Sequence, residues 1–285
     1  MTKVLYQGIE GSYSEIVARD CLEANFDYQG MESFSLLHKE WESYDDCLAV
    51  LPIENTLVGS ILENIDFLPK SECFIEKEIN LSIQHSLLCH PKCHSVQEIT
   101  KVYSHPKALE QCQNFLNMYP HIKVIEYYDT AGSAQMLSQQ SNPFWAAVAS
   151  EKAGILYNLK CLKKNIQDNK DNFTRFVILR KNKRNKRKGY LKENKCSFNF
   201  KLPHEVGSLA KILEVIARKK CNLTRIESRP IKNQPFEYEF FIDLEWKNTT
   251  IEERKLLLEY LETACSKFLL LGTFSTHQIG RISHG

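Results

Sequence analysis

The chain contains no apolar run near the ~20 residues a bilayer-crossing helix needs, so a membrane span is not expected. Its first residues, Met1 to Gly8, read as a short strand ending at glycine rather than a secretory leader, and a cytoplasmic protein is expected. Ten cysteines run from Cys21 to Cys265 at irregular spacing, unlike the dense framework of small secreted domains, so reduced, mostly buried thiols are expected. There is no phosphate-loop or dinucleotide glycine fingerprint, and no tandem repeat. His85, Cys89, His90, Cys93 and His94 are zinc-ligand types, but they lack a CxxC pair and a second ligand pair at finger-like distance. A turn after a buried strand is the better account of them, and no metal is expected.

What remains is an ordinary globular composition of 285 residues, 43% hydrophobic and 25% charged, enough for two or three units with their own cores. The net charge of +2 is unevenly placed: residues 180–189 form a basic block ending at Gly189. Such a block can grip phosphate, but no aromatic interleaving or reading helix stands beside it. A solvated linker at about 181–194 is expected, and no nucleic-acid partner.

Upstream of the linker, short apolar runs such as Val4–Tyr6, Cys47–Pro52, Leu81–Ile83, Lys101–Ser104 and Ala146–Ala149 alternate with helical patterns, predicting an α/β unit with mostly parallel strands. Downstream, Cys196, Phe198, Phe200 and Leu202 alternate like a half-buried strand, and Leu209, Ile212, Leu213 and Ile216 follow at helical spacing. Strands at 222–227 and 236–244, joined by a turn with Asn233, a helix over 251–267 and a strand at 268–271 complete a βαββαβ order.

Four polar motifs punctuate the first unit. Gly8-Ile9-Glu10-Gly11-Ser12-Tyr13-Ser14-Glu15 brackets a strand-to-helix turn, with Ser12 or Ser14 as cap and backbone N–H groups free to face an anion. In Pro52-Ile53-Glu54-Asn55-Thr56-Leu57-Val58-Gly59-Ser60 a buried strand ends at Pro52 and a polar loop enters a helix at Gly59-Ser60. Asn55 and Thr56 then lie at a carboxyl strand end, where open α/β sheets bind ligands. Tyr103-Ser104-His105-Pro106 sets proline at a first helical position. Asn172-Phe173-Thr174-Arg175-Phe176 opens a strand, with Thr174 and Phe176 on one face and Arg175 on the other.

In this order, and followed by Ile226-Glu227-Ser228-Arg229-Pro230, these motifs resemble those of prephenate dehydratases along nearly the whole chain. The resemblance implies a two-lobed, periplasmic-binding-protein-like catalytic domain at 1–180, with lobe one at about 1–78 plus 168–180 and lobe two at about 79–167. It also implies a ferredoxin-like ACT regulatory domain at 195–285. The activity implied is cofactor-free loss of water and CO2 from prephenate, driven by aromatisation. Thr174 would be the catalytic donor to the departing hydroxyl, and Ser12, Tyr13, Ser14, Asn55, Thr56, Ser104, Lys107, Thr130, Asn172, Arg175 and Phe176 would contact substrate. The family usually has glutamine where Lys107 stands here; an ammonium there would suit a dianionic substrate.

By the same resemblance, Gly207, Ser208, Leu209, Asn222, Leu223, Glu227, Ser228 and Arg229 would bind phenylalanine as an inhibitor at a subunit interface of a homodimer or homotetramer. Val206 replaces the family's usual proline there. Two alternatives stay open. Asp129-Thr130-Ala131-Gly132-Ser133-Ala134 looks more like arogenate dehydratases, which act on the amino form of the same ring, and a non-catalytic amino-acid sensor would share the architecture.

Overall fold

The computed structural model describes residues 1–181, 190–232 and 234–280, so the basic block at 182–189 and the turn residue Asn233 lie outside the described residues. The chain begins β1 (Lys3–Gln7), α1 (Tyr13–Cys21), β2 (Asp27–Met31), α2 (Phe34–Glu42), β3 (Cys47–Asn55), β4 (Gly59–Ser60), α3 (Leu62–Phe67) and β5 (Cys73–Ser82). A second stretch holds β6 (Ser86–Cys89), β7 (Lys101–Ser104), α4 (Pro106–Glu110), α5 (Gln113–Asn117), β8 (Lys123–Glu126), α6 (Thr130–Ser138), β9 (Trp145–Ala149), α7 (Glu151–Leu156) and β10 (Lys160–Lys163). The chain then returns through β11 (Phe173–Lys181) into β12 (Lys195–Lys201), α8 (Ser208–Arg218), β13 (Asn222–Pro230), β14 (Tyr238–Glu245), α9 (Ile251–Ala264), β15 (Lys267–Phe274) and β16 (Thr276–Ile279).

These elements form a mixed α/β structure with two sheets. The smaller sheet has 5 strands in the order β10-β6-β9-β7-β8. The larger has 11 strands, ordered β13-β14-β12-β15-β5-β11-β3-β1-β2, with β16 beside β5 and β4 beside β3. Its first four members are the βαββαβ unit, which therefore continues the sheet of the first unit. The sequence pattern shows two units but not this shared sheet, because pairing of Gly272 with Ile75, and of β16 with β5, leaves no periodic trace.

The middle of the large sheet is buried on both faces, which is why Cys47 to Ile53 reads as an unbroken apolar run. Leu48 and Val50 pack with Val4, Val17 and Phe176 under α1. Ala49, Leu51 and Ile53 pack on the opposite face with Leu37, Trp41 and Ile65, and Phe241, Leu271 and Phe274 of the βαββαβ unit join that second core. Helices α8 and α9 cover the unit's other face over Phe198, Phe200 and Ile242. A capping box between Thr250 and Glu253 starts α9, satisfying N–H groups that the first helical turn leaves unpaired.

Several boundaries differ from the sequence pattern. β3 runs past Pro52 to Asn55, because a bulge opposite Phe176 and Arg175 absorbs a residue where proline has no N–H to give. Gly59-Ser60 does not enter a helix; it folds back on Glu54 and Asn55 as β4, and α3 begins at Leu62. β5 stays in the large sheet through Ser82, pairing with Phe173, so the chain crosses to the small sheet after residue 82 rather than at 79. α9 stops at Ala264, and Lys267 already belongs to β15.

Candidate active site

The bulge in β3 sets Asn55 opposite Thr174 at the carboxyl end of the strand. The Asn55 Oδ1 accepts the backbone N–H groups of Leu57 and Val58 at 3.0 and 3.1 Å, which fixes the amide's orientation. Its Nδ2 therefore donates to Thr174 Oγ1 at 2.9 Å and to Asn172 Oδ1 at 2.8 Å, with the Phe173 carbonyl at 3.1 Å. Thr174 is left as an acceptor from protein, and its own proton has no recipient among the described residues.

The chain of hydrogen bonds continues across both crossings between the sheets. Asn172, fully buried, donates through Nδ2 to Gln111 Oε1 at 3.1 Å, and His85 Nε2 reaches the same oxygen at 3.0 Å. Burial pushes the His85 imidazole pKa below its usual value, so it is neutral. An Nε2–H donated to Gln111 makes Nδ1 an acceptor, and the Tyr13 hydroxyl stands 3.0 Å from it and 2.8 Å from the Gln84 carbonyl. Burial likewise raises the Tyr13 pKa and keeps the phenol protonated. His85 and Gln111 were not expected in this network. The signal available for Gln111 was its place as the C-cap of α4, the helix that Pro106 opens; His85 carried no signal beyond its metal-ligand residue type.

Ser12 is the N-cap of α1: its hydroxyl accepts the Glu15 N–H, and Ser14 lies buried in the first turn. Glu15 reaches back to the Gly11 N–H at 2.6 Å and pins the turn. Gly8, at φ +102°, has no room for a side chain: a Cβ would meet Ser12 at 2.8 Å and stand 3.8 Å from Asp129 Oδ2. Asp129 caps α6, which opens at Thr130, and takes the Gly132 N–H at 2.7 Å. Burial raises its carboxyl pKa. The starts of α1 and α6 thus face each other from opposite lobes.

Other expected contacts lie elsewhere. Thr56 is occupied structurally, its hydroxyl donating to the Asp171 carbonyl and accepting the Phe173 N–H, both at 3.0 Å. Ser104 is fully buried and spends its proton on the Val148 carbonyl at 2.6 Å, tying β7 to β9. Lys107 points to solvent and pairs with Glu110 at 2.9 Å, one turn along α4, while its N–H is capped by His105. Phe176 is a core residue beside Val4 and Tyr6, since its place on β11 faces α1. Arg175 faces the other way from Thr174, onto Glu54 and Asp243 at 3.3 Å each, and lines a cavity of about 240 Å³ with Glu54, Thr56 and Phe173.

The zinc-type residues also disperse. Cys89 and Cys93 lie in the core of the small sheet, the His90 ring caps the turn after β6 by accepting the Lys92 N–H, and His85 serves the network above. Among the described residues no group of three or more His, Cys, Asp or Glu is arranged to hold a metal, and no helix is long and apolar enough to cross a membrane.

In the βαββαβ unit, Gly207 takes φ +82° to start α8, and a cavity of about 660 Å³ opens there, lined by Ser208, Leu209, Ile231, Glu237, Tyr238 and Phe240 among others. Glu227 and Arg229 instead turn toward the first unit: Glu227 accepts from Ser60 at 2.6 Å, and Arg229 binds both oxygens of Asp66. Ser228 is exposed on β13. Asn222 and Leu223 sit at the opposite end of β13 from this cavity, across from Glu245 and Leu244.

A family model for prephenate dehydratase matches residues 4–184. The enzyme named arogenate dehydratase/prephenate dehydratase 2, chloroplastic, of Arabidopsis thaliana is 35% identical over 281 residues, covering 95% of this chain and 72% of that protein. The crystal structure of the prephenate dehydratase from Staphylococcus aureus Mu50 superposes with a TM-score of 0.81 at 28% identity, covering 96% of this chain and 100% of that one. A prephenate dehydratase from Arthrobacter aurescens, solved in complex with L-Phe, shares the fold at TM-score 0.81 and 24% identity, covering 96% and 90% of the two chains. The directional network from Asn55 to Thr174 falls within the matched span, and the chain belongs to the prephenate dehydratase family.

Proposed function

We propose that the chain converts prephenate to phenylpyruvate in phenylalanine biosynthesis, as a carbon–oxygen lyase whose catalytic domain spans 1–180. The observation that carries this reading is the Asn55 Nδ2 to Thr174 Oγ1 bond of 2.9 Å. Because Thr174 accepts from Asn55, its O–H points outward, where it can hydrogen-bond the departing hydroxyl and relay to it the proton, drawn from solvent, that completes the water. Loss of that hydroxyl as water and of the ring carboxylate as CO2 leaves an aromatic ring, so the protein need supply only a positioned donor and a binding site for two carboxylates. A threonine hydroxyl is a weak acid in water, so its role is that of a held donor. The facing N-termini of α1 and α6 offer the N–H groups of Tyr13, Ser14 and Thr130 to the carboxylates. Release of phenylpyruvate from prephenate by the purified chain, with no added cofactor, tests the reading; no turnover on prephenate overturns it.

A second substrate is favoured by Asp129. Its Oδ2 faces the Gly8 turn across the cleft, where a carboxylate would pair with the ammonium of arogenate better than with a keto group. Comparing kcat/KM on the two substrates decides between them.

The same reading makes 195–285 an ACT-type sensor of L-phenylalanine in a cytoplasmic homodimer or homotetramer; the linker expected at 181–194 is shorter, because Lys181 ends β11 and Leu191 is buried in the core of the βαββαβ unit. Its support is the cavity at the start of α8 and the L-Phe held by the Arthrobacter protein of the same fold. A site that uses Asn222 and Leu223 together with Gly207, Ser208 and Leu209 draws them from two copies of the chain, because Asn222 and Leu223 begin β13 whereas Ile231, just past its other end, lines the cavity at the start of α8. Phenylalanine titrated into a prephenate assay should inhibit.

A further inference from the structure

Glu54 and Arg175 are the sequence neighbours of Asn55 and Thr174. Alternation along β3 and β11 therefore places an ion pair behind the proposed catalytic hydrogen bond, on the face of the sheet that meets the βαββαβ unit. Arg175 Nη1 stands 3.3 Å from Glu54 and 3.3 Å from Asp243 of β14, and its Nε lies 3.8 Å from Glu78 of β5. Lys195 of β12 binds the same Glu78 at 2.7 Å, and Arg225 of β13 reaches Asp243 at 3.5 Å. The side chains of Glu78, Asp243, Lys195 and Arg225 are 1%, 2%, 4% and 5% exposed, so water screens those four charges little, while Arg175 and Glu54 at the edge of the cluster are 19% and 34% exposed.

The cluster balances three carboxylates with three cations, yet its pairing is incomplete. Arg225 Nε and Nη2 are buried without a hydrogen bond to protein, while Glu54 Oε2 is held by Arg175 Nη1 as an ion pair at 3.3 Å. The Arg225 donors without a protein partner leave the cluster able to re-pair when β14 moves, which a contact that transmits a change requires.

We propose that Arg175 is a positioning residue for Thr174 and Asn55, and that its contact with Asp243 carries the state of the βαββαβ unit to the catalytic hydrogen bond. A shift of β14 moves Asp243, Arg175 follows, and the β11 backbone turns Thr174 relative to Asn55. This rests on the proposed dehydratase activity and its inhibition by phenylalanine.

The test uses the full chain, with prephenate turnover, phenylalanine inhibition, calorimetric phenylalanine binding and thermal melting measured together. Asp243→Asn keeps the shape and removes the charge. It should retain turnover within about threefold, because Arg175 keeps Glu54 and Glu78, while the phenylalanine concentration for half-inhibition rises roughly tenfold or more. Binding of phenylalanine should persist, and saturating substrate should no longer weaken it, since coupling is reciprocal. Arg175→Lys should lower kcat about tenfold with KM little changed, and lose the same coupling. If Asp243→Asn does not fold, Asp243→Glu, which keeps the charge but moves it by one methylene, decides instead. Folded variants with wild-type coupling overturn the proposal. A wild-type chain inert toward prephenate or indifferent to phenylalanine overturns the activity or its regulation instead.

Discussion

Gly272 of β15 lies opposite Ile75 of β5 so closely that a Cβ on Gly272 would stand 2.5 Å from the Ile75 carbonyl oxygen. This is the seam where the two units become one sheet, and only a residue without a side chain closes it. Gly272→Ala should cost about 1–3 kcal/mol, because the obstacle is backbone that cannot move aside. Thermal melting, with limited proteolysis between the units, measures it; an unchanged melting temperature would show that the seam is open in solution. For the same reason a chain cut after Arg180 is a poor probe of regulation, since it would strip Phe241, Leu271 and Phe274 from the core holding Ile53 and Ile65.

Thr174→Ala removes the held donor and should lower kcat by roughly two to four orders of magnitude with the fold intact. Thr174→Ser, which keeps the hydroxyl, should retain far more activity. Near-normal phenylpyruvate release by a folded alanine variant would remove Thr174 from the chemistry.

Asn55→Asp tests the polarity of the network. One aspartate oxygen can still take the Leu57 and Val58 N–H groups, but the other would face Asn172 Oδ1 and Thr174 Oγ1 as an acceptor. Thr174 would then turn its proton inward, and kcat should fall about 100-fold or more, as for loss of a single preorganised donor. Steady-state kinetics that place the variant within tenfold of wild type would refute that polarity.

His85 predicts a pH dependence of stability. Its folded pKa lies below the unfolded value near 6.5, so the folded state resists protonation. The associated stability is present above that unfolded pKa and is lost as pH falls toward and through the folded one. His85→Gln should flatten this acidic decline while lowering stability at neutral pH. Melting curves across that range, parallel for both proteins, would count against a neutral buried His85.

Much of this could be read along the chain. The two sequential units, the βαββαβ order and the placing of Ser12, Asn55 and Thr174 at element ends follow from apolar periodicity, caps and motifs, which act within a few residues. Phe176, Ser104 and Lys107 are in the same motifs but serve the core or the surface, and Arg175 lies on the opposite face of β11 from Thr174. A motif fixes residue type and strand position, whereas the direction of each side chain depends on which layer covers each face. Phe176 is buried because α1 lies over it, and Arg175 is drawn away because Asp243 lies across the other face.

By itself, then, the sequence determined which segments become strands and helices, the family, and the hydroxyl and amide side chains available for chemistry, because these depend on local propensity and spacing. Only the tertiary structure decided that His85 and Gln111, 26 residues apart, complete the chain from Tyr13 to Thr174, and that β15 and β16 join β5. Hydrogen bonds between residues distant in sequence are selected by the packing of whole layers, and that packing leaves no period to read.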